Sequence, residues 1–224
     1  MARDQTQKNP IPKNDINNKV KQIISLLEKQ YSNPQTALTH KTVHQLLIAT
    51  ILSAQCTDKR VNIVTKDLFK KYQDIESFAD ADPKEFEKDI RSTGFYRNKT
   101  KNIINTSKMI LNNFSGKVPD TMEDLIKLPG VARKTANIIL SEHYKKNEGI
   151  AVDTHVIRLS GRLGLTESRN PKIIEQNLMA TTPKDHWRNM TNLLISHGRN
   201  ICIARNPKCS NCILYDLCIS KGKW

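Results

Sequence analysis

The sequence predicts an all-α protein. Apolar residues recur at helical spacing through most of the chain, no stretch alternates apolar and polar residues with a strand's period of two, and the interruptions are short, polar and rich in turn formers. At 224 residues there is room for one large or two modest cores.

Residues 1–14, MARDQTQKNPIPKN, read as a polar arm. From 16 to 29, INNKVKQIISLLEK carries one apolar stripe that YSNPQT ends. A helix over 43–53 turns Leu46, Leu47, Thr50 and Ile51 inward, SAQCTDKR interrupts it, and VNIVTKDLFKKY resumes the period. Helices over 83–91 and 98–113 flank STGFYR. Thr121 with Asp124 reads as a capping box opening a short helix that stops at LPG, and a second helix runs from Ala132 to His143. KKNEG breaks the pattern, GIAVDTHVIRLSGRLG gives an apolar lead and another helix, and helices near 171–180 and 185–197 complete the body.

Lysine and arginine number 36 against 22 acids, a net charge of +14, which favours a polyanionic partner through steering and counterion release. DNA fits that charge, and so does ribosomal or transfer RNA. No apolar run approaches eighteen residues and the N-terminal stretch has no apolar core, so neither a membrane span nor a signal peptide is expected. The expected location is the cytoplasm, at the nucleoid. Between Ile90 and Pro119 there is no acid, while Arg91, Arg97, Lys99, Lys101, Lys108 and Lys117 are basic, with Phe95 and Tyr96 among them. Such a stretch is either a nucleic-acid surface or a solvated face over two core aromatics.

MEDLIKLPGVARKTANIIL joins two short amphipathic helices by a tight corner. Pro129 ends the first, Gly130 takes the backbone angles a corner needs, and the exposed N–H groups of the second helix favour a phosphate oxygen. Arg133 and Lys134 stand in that first turn, where cations are unfavourable unless an anion lies nearby. Nineteen residues beyond Lys134, Asp153 lies in the apolar strip IAVDTH. A lysine amine, with a reference pKa of about 10.4, needs its deprotonation arranged before it attacks anything at neutral pH. A helix start and desolvation favour the neutral amine, whereas a carboxylate favours the ammonium, so Asp153 is cast as proton acceptor and cation stabiliser.

CIARNPKCSNCILYDLC supplies Cys202, Cys209, Cys212 and Cys218, with six, two and five residues between them. Four thiolates so spaced bind a soft metal, and spacing alone leaves tetrahedral zinc and a four-iron cluster both open. Cys56, the fifth, is expected to be a small buried or loop residue and not a fifth ligand.

LPGVARKTAN resembles the helix-hairpin-helix of the endonuclease III family of DNA glycosylases, AVDTHVIRLSGRLG resembles that superfamily's aspartate segment, and the C-x6-C-x2-C-x5-C spacing resembles the family's C-terminal cluster. The resemblance runs from about residue 18 to 218. It implies two helical domains with a DNA-binding cleft between them: a six-helix domain over 36–149 holding the hairpin at 121–143, and a cluster domain built from 16–35 with 150–224, preceded by a flexible arm over 1–15. It implies Lys134 as nucleophile, with Asp153 facing it across the cleft, and a [4Fe-4S] cluster on the four cysteines, zinc being the alternative.

The same resemblance implies that the corner around Gly130, Ala132 and Arg133 grips DNA phosphates, Ala132 standing where the family usually has a second glycine. Gln55 in SAQCTD would fill the space of a flipped nucleotide, and Asp58 would line the lesion pocket or cap its helix. Phe95 would be an apolar wedge, where a core aromatic is the commoner fate. Arg199, Arg205 and Lys208 would meet DNA around the cluster loop, where no acid occurs from Arg199 to Tyr215. His155 either approaches DNA or hydrogen-bonds the helix start. The implied activity is bifunctional: excision of oxidised pyrimidines such as thymine glycol from duplex DNA, and β-elimination at the abasic site, by a monomer. Alternatives are a mismatch or alkylated-base glycosylase of the same superfamily, a non-enzymatic cluster-bearing DNA-binding protein, or a ribosome-associated protein.

Overall fold

The computed structural model describes residues 13–32 and 34–223, and every regular element among them is helical. The expected arm over 1–15 lies, for its first twelve residues, outside the described residues. The chain divides into two compact units, Gln35–Ala151 and Met1–Pro34 with Val152–Trp224.

The Gln35–Ala151 unit is built around helix α2 (Val43–Leu52), buried at every position from Leu46 to Leu52. A helix apolar all round belongs at the centre of a core. Thr42 caps it, its hydroxyl accepting from the Gln45 N–H at 3.2 Å. Helix α3 (Asp58–Lys71) lays Val61, Thr65 and Leu68 on the core, and its cap is Thr57 rather than Asp58, which is the first helical residue. A five-residue helix α4 (Ile75–Ala79) was not legible in the apolar period; Asp74 and Ser77 form a reciprocal capping box at its start. Helix α5 (Pro83–Ile90) starts on a proline capped by Asp82, and α6 (Tyr96–Phe114) packs against both α4 and α5. Phe78 is the aromatic centre, edge-on to His44 at 5.2 Å and to Phe86 at 5.9 Å. Burial pushes the His44 imidazole down to about 4, and its Nε2 meets the Ser107 hydroxyl at 3.2 Å.

The hairpin helices are α7 (Met122–Leu125) and α8 (Arg133–Glu142). Thr121 caps α7 by accepting from the Asp124 N–H at 3.2 Å, but the expected capping box is only half made: the Asp124 carboxylate takes the Thr121 hydroxyl at 3.0 Å.

In the other unit, helix α1 (Lys13–Gln30) begins three residues before the expected start at 16, and its stripe of Val20, Ile23, Ile24 and Leu27 is buried. It packs on α10 (Pro171–Thr181) and α11 (Trp187–Asn200), while α9 (Thr154–Arg162) packs on α11. The closeness of α9 and α11 explains a helical glycine: a Cβ on Gly198 would sit 2.8 Å from His155 Nδ1 and 3.0 Å from Arg158 Nη2. No helix among the described residues is long and apolar enough to cross a membrane.

Candidate active site and cluster loop

At the hairpin corner Gly130 has φ +77, and a Cβ there would lie 2.7 Å from the Asn102 side-chain nitrogen. Helix α6 supports the corner from below: Asn102 lies against Gly130, and one turn on the Thr106 hydroxyl donates to the Pro129 carbonyl at 2.7 Å. Ala132 is the N-cap of α8 with φ −86 and ψ 168, extended backbone that alanine adopts without strain. A second glycine is therefore not required by this corner's geometry. Alanine has no side-chain acceptor, so the start of α8 has no side-chain cap. Arg133 and Lys134 are both exposed in this first turn.

The two loops assigned to duplex entry converge on the same corner. Gln55 (φ 53) and Phe95 (φ 47) are both left-handed non-glycine residues, and both are exposed, Phe95 to 62%. Phe95 is therefore not a core aromatic, whereas its neighbour Tyr96 packs against the core. Gln55, Phe95 and Gly130 line one cavity of about 150 Å³, together with Asn98, Lys99 and Asn102. Lys99 departs from its expected place on a basic surface: it is 4% exposed, and its ammonium donates to the carbonyls of Leu52 and Thr93, each at 2.8 Å. Arg91, Arg97, Lys101, Lys108 and Lys117 are exposed as expected. Asp58 is half-buried at the start of α3, on the same SAQCTD loop as Gln55.

Asp153 belongs to the other unit. It is half-buried and caps α9, its carboxylate accepting from the Val156 N–H at 2.8 Å. One oxygen is thereby fixed by the backbone, which orients the group. His155 Nδ1 faces Arg158 Nη2 at 3.1 Å, and burial pushes the ring below its ordinary value while Asp153 acts in the opposite direction.

Helix α9 ties Asp153's element to the cysteine loop through two arginines one turn apart, which the sequence reading missed. Arg158 Nε and Nη2 donate to the Cys202 carbonyl at 3.1 and 3.0 Å. Arg162 donates to the carbonyls of Ile203 and Ala204 at 2.8 and 3.0 Å and to Cys202 Sγ at 3.3 Å. Their sequence signal is an i, i+4 arginine pair on a helix whose buried positions are otherwise Val156, Leu159 and Ser160.

All four C-terminal cysteines are half-buried and unbridged. Burial pushes the Cys212 thiol up, and the sulfurs of Cys202, Cys218 and Cys209 lie near enough to push the same way. His197, held neutral by burial that lowers it to about 4, places Nε2 3.3 Å from Cys212 Sγ and Nδ1 3.2 Å from the Tyr31 hydroxyl. A thiolate only accepts, so the ring hydrogen belongs on Nε2 and Tyr31 donates to Nδ1. N–H donors from Arg162 and His197 to two sulfurs, and a backbone tied down around Cys202, are the surroundings an anionic metal–thiolate centre needs. Among the described residues no three His, Cys, Asp or Glu side chains are grouped to share one ion. Four cysteine thiolates are the ligand set that a [4Fe-4S] cluster would take. Arg205 and Lys208 are exposed on the loop that Cys202 and Cys209 bound, and Arg199 is exposed in the last turn of α11. Cys56 lies in the other unit, partly buried against its core.

Residues 48–184 match the family described as HhH-GPD superfamily base excision DNA repair protein, and residues 202–218, which begin on Cys202 and end on Cys218, match the iron-sulfur binding domain of endonuclease III. Fold and site thus define a helix-hairpin-helix base-excision repair protein with an iron-sulfur centre. The chain is 49% identical to Endonuclease III of Synechocystis sp. over 89% of its own length and 91% of that relative, and 43% identical to Endonuclease III of Bacillus subtilis over 89% and 92%. A solved structure described as a trapped endonuclease III–DNA covalent intermediate, an estranged-adenine complex, aligns with a TM-score of 0.86 at 39% identity, covering 94% of this chain and 97% of that one. The chain belongs to the endonuclease III family, DNA glycosylases and lyases of base excision repair, and its cofactor is a [4Fe-4S] cluster.

Proposed function

We propose that this protein excises oxidised pyrimidines such as thymine glycol from duplex DNA and cleaves the resulting abasic site by β-elimination, acting as a monomer on damaged DNA at the nucleoid. The observation that carries this reading is the convergence of Gln55, Phe95 and the Gly130 corner on one cavity, beside the uncapped helix start that presents Lys134. The endonuclease III–DNA complexes among the similar structures support DNA as the ligand.

In this reading the corner around Gly130, Ala132 and Arg133 receives a backbone phosphate at the α8 helix start. Gln55 fills the space of the extruded nucleotide, Phe95 wedges the opposite stack, and Asp58 borders the lesion. The Lys134 amine, covered once DNA docks, attacks C1′ as the base departs with the glycosidic electron pair. Asp153 accepts the proton that the amine releases and offsets the positive charge at the sugar. Opening of the sugar leaves a Schiff base on Lys134, and loss of a C2′ proton expels the 3′ phosphate. Arg199, Arg205 and Lys208 hold flanking phosphates. Cys202, Cys209, Cys212 and Cys218 hold the [4Fe-4S] cluster, which when bound supplies a covalent metal–thiolate anchor for the loop.

The test is borohydride trapping on a labelled duplex with one thymine glycol, comparing the protein with Lys134→Ala. A lesion-dependent covalent adduct that the variant loses is the expected result. Base release without adduct or strand cleavage would replace the lyase with a monofunctional glycosylase, and neither activity, on this or an abasic duplex, would favour a binding protein.

A further inference from the structure

Lys99 is the most completely buried lysine of the basic stretch, and the proposed chemistry makes no use of it. Its Nζ donates to the carbonyl of Leu52, the last residue of α2, and to that of Thr93, the last residue of the 3-10 turn Arg91–Thr93. Both carbonyls end helical segments, where the backbone dipoles present partial negative charge to a cation. No carboxylate lies among the ammonium's hydrogen-bond partners, so these two helix ends compensate its charge.

Those two residues sit at the roots of the two loops in question. Leu52 precedes Gln55 by three residues and Thr93 precedes Phe95 by two, and both tips are held in left-handed backbone that a non-glycine residue keeps only when its surroundings enforce it. Lys99 also lines the cavity that Gln55 and Phe95 share. One ammonium therefore ties together two segments 41 positions apart in sequence.

We propose that Lys99 is a positioning residue that fixes the spacing of the Gln55 and Phe95 loops, so that both tips enter the duplex in a single step. This rests on the reading of Gln55 and Phe95 as the duplex-entering residues. Removal of the ammonium leaves two inward carbonyls without a donor and lets the loops separate. Burial also pushes the Lys99 ammonium below its ordinary range, consistent with a charge held by carbonyls instead of an acid. The defect then belongs to duplex opening and leaves the sugar chemistry alone.

The experiment compares Lys99→Met and Lys99→Gln with the unaltered holoenzyme on one abasic oligonucleotide, single-stranded and in duplex, under single-turnover conditions. A 2-aminopurine opposite the abasic site reports insertion by its fluorescence. With Lys99→Met, duplex cleavage falls at least tenfold and the fluorescence step is lost, while single-stranded cleavage, which needs no insertion, stays within twofold. Lys99→Gln, which keeps an N–H donor on a side chain one bond shorter, falls between. Equal loss on both substrates, or no loss on either, overturns the proposal. Should Lys99→Met not fold, Lys99→Gln decides by the same ratio. Gln55→Ala and Phe95→Ala run alongside: if both keep the full fluorescence step, the duplex-entry reading fails first and takes the proposal with it, whereas if they lose it and the Lys99 variants do not, the proposal alone fails.

Discussion

Replacing Gly130 with alanine tests the hairpin corner through two separable costs. The backbone stands at φ +77, where an L side chain costs about 1–2 kcal/mol. The added Cβ would also meet the Asn102 side chain at 2.7, 2.9 and 2.9 Å, and forcing such overpacking costs about 1–3 kcal/mol. Together these place the loss of stability at about 2–5 kcal/mol, read from urea unfolding followed by circular dichroism. Adding Asn102→Ala removes the 2.7 Å amide contact and one contact at 2.9 Å but leaves the backbone cost, so the double-mutant cycle should show a coupling of about 1 kcal/mol. Ala132→Gly is the contrasting change. At φ −86 the native alanine is unstrained, and glycine there should destabilise by roughly 0.4–1 kcal/mol through the freer unfolded chain. A loss below about 1 kcal/mol for Gly130→Ala, or a gain for Ala132→Gly, would refute the description of the corner.

Arg162→Met removes donors from the Ile203 and Ala204 carbonyls and from Cys202 Sγ, at a cost of about 1–3 kcal/mol for partly buried acceptors left without a donor; the visible absorbance of the cluster should decay faster in air, and an unchanged decay would count against the arginine's role. His44 sets an acid limit. Its folded value of about 4 lies below the ordinary 6.5, so the unfolded chain takes the proton first, and stability present above pH 6.5 is lost as pH falls towards 4, by up to about 3 kcal/mol. That slope should flatten in His44→Asn when urea midpoints are measured across this window. Phe78→Ala empties the centre of the aromatic cluster and should cost about 3–5 kcal/mol in the same unfolding assay.

Much of the site was written locally. The corner at Gly130, the helix start carrying Lys134 and the four-cysteine spacing are set by neighbours a few residues apart, so apolar period, turn residues and ligand spacing sufficed to find them. Helix α4 escaped because five residues carry too little period, and its signal was the Asp74–Ser77 cap. The half-made capping box at Thr121 depended on a rotamer, a choice that spacing leaves open. Sequence by itself determined the helical class and a polyanionic partner, and it nominated the residues for the chemistry, because these follow from composition and short-range geometry. Only the tertiary structure decided that Lys99 is buried as a tie between two loops, that Phe95 is exposed, and that Arg162 and His197 lie against the sulfurs of Cys202 and Cys212. A charge's partner and a ring's exposure depend on elements tens of residues away, and folding alone brings those elements together.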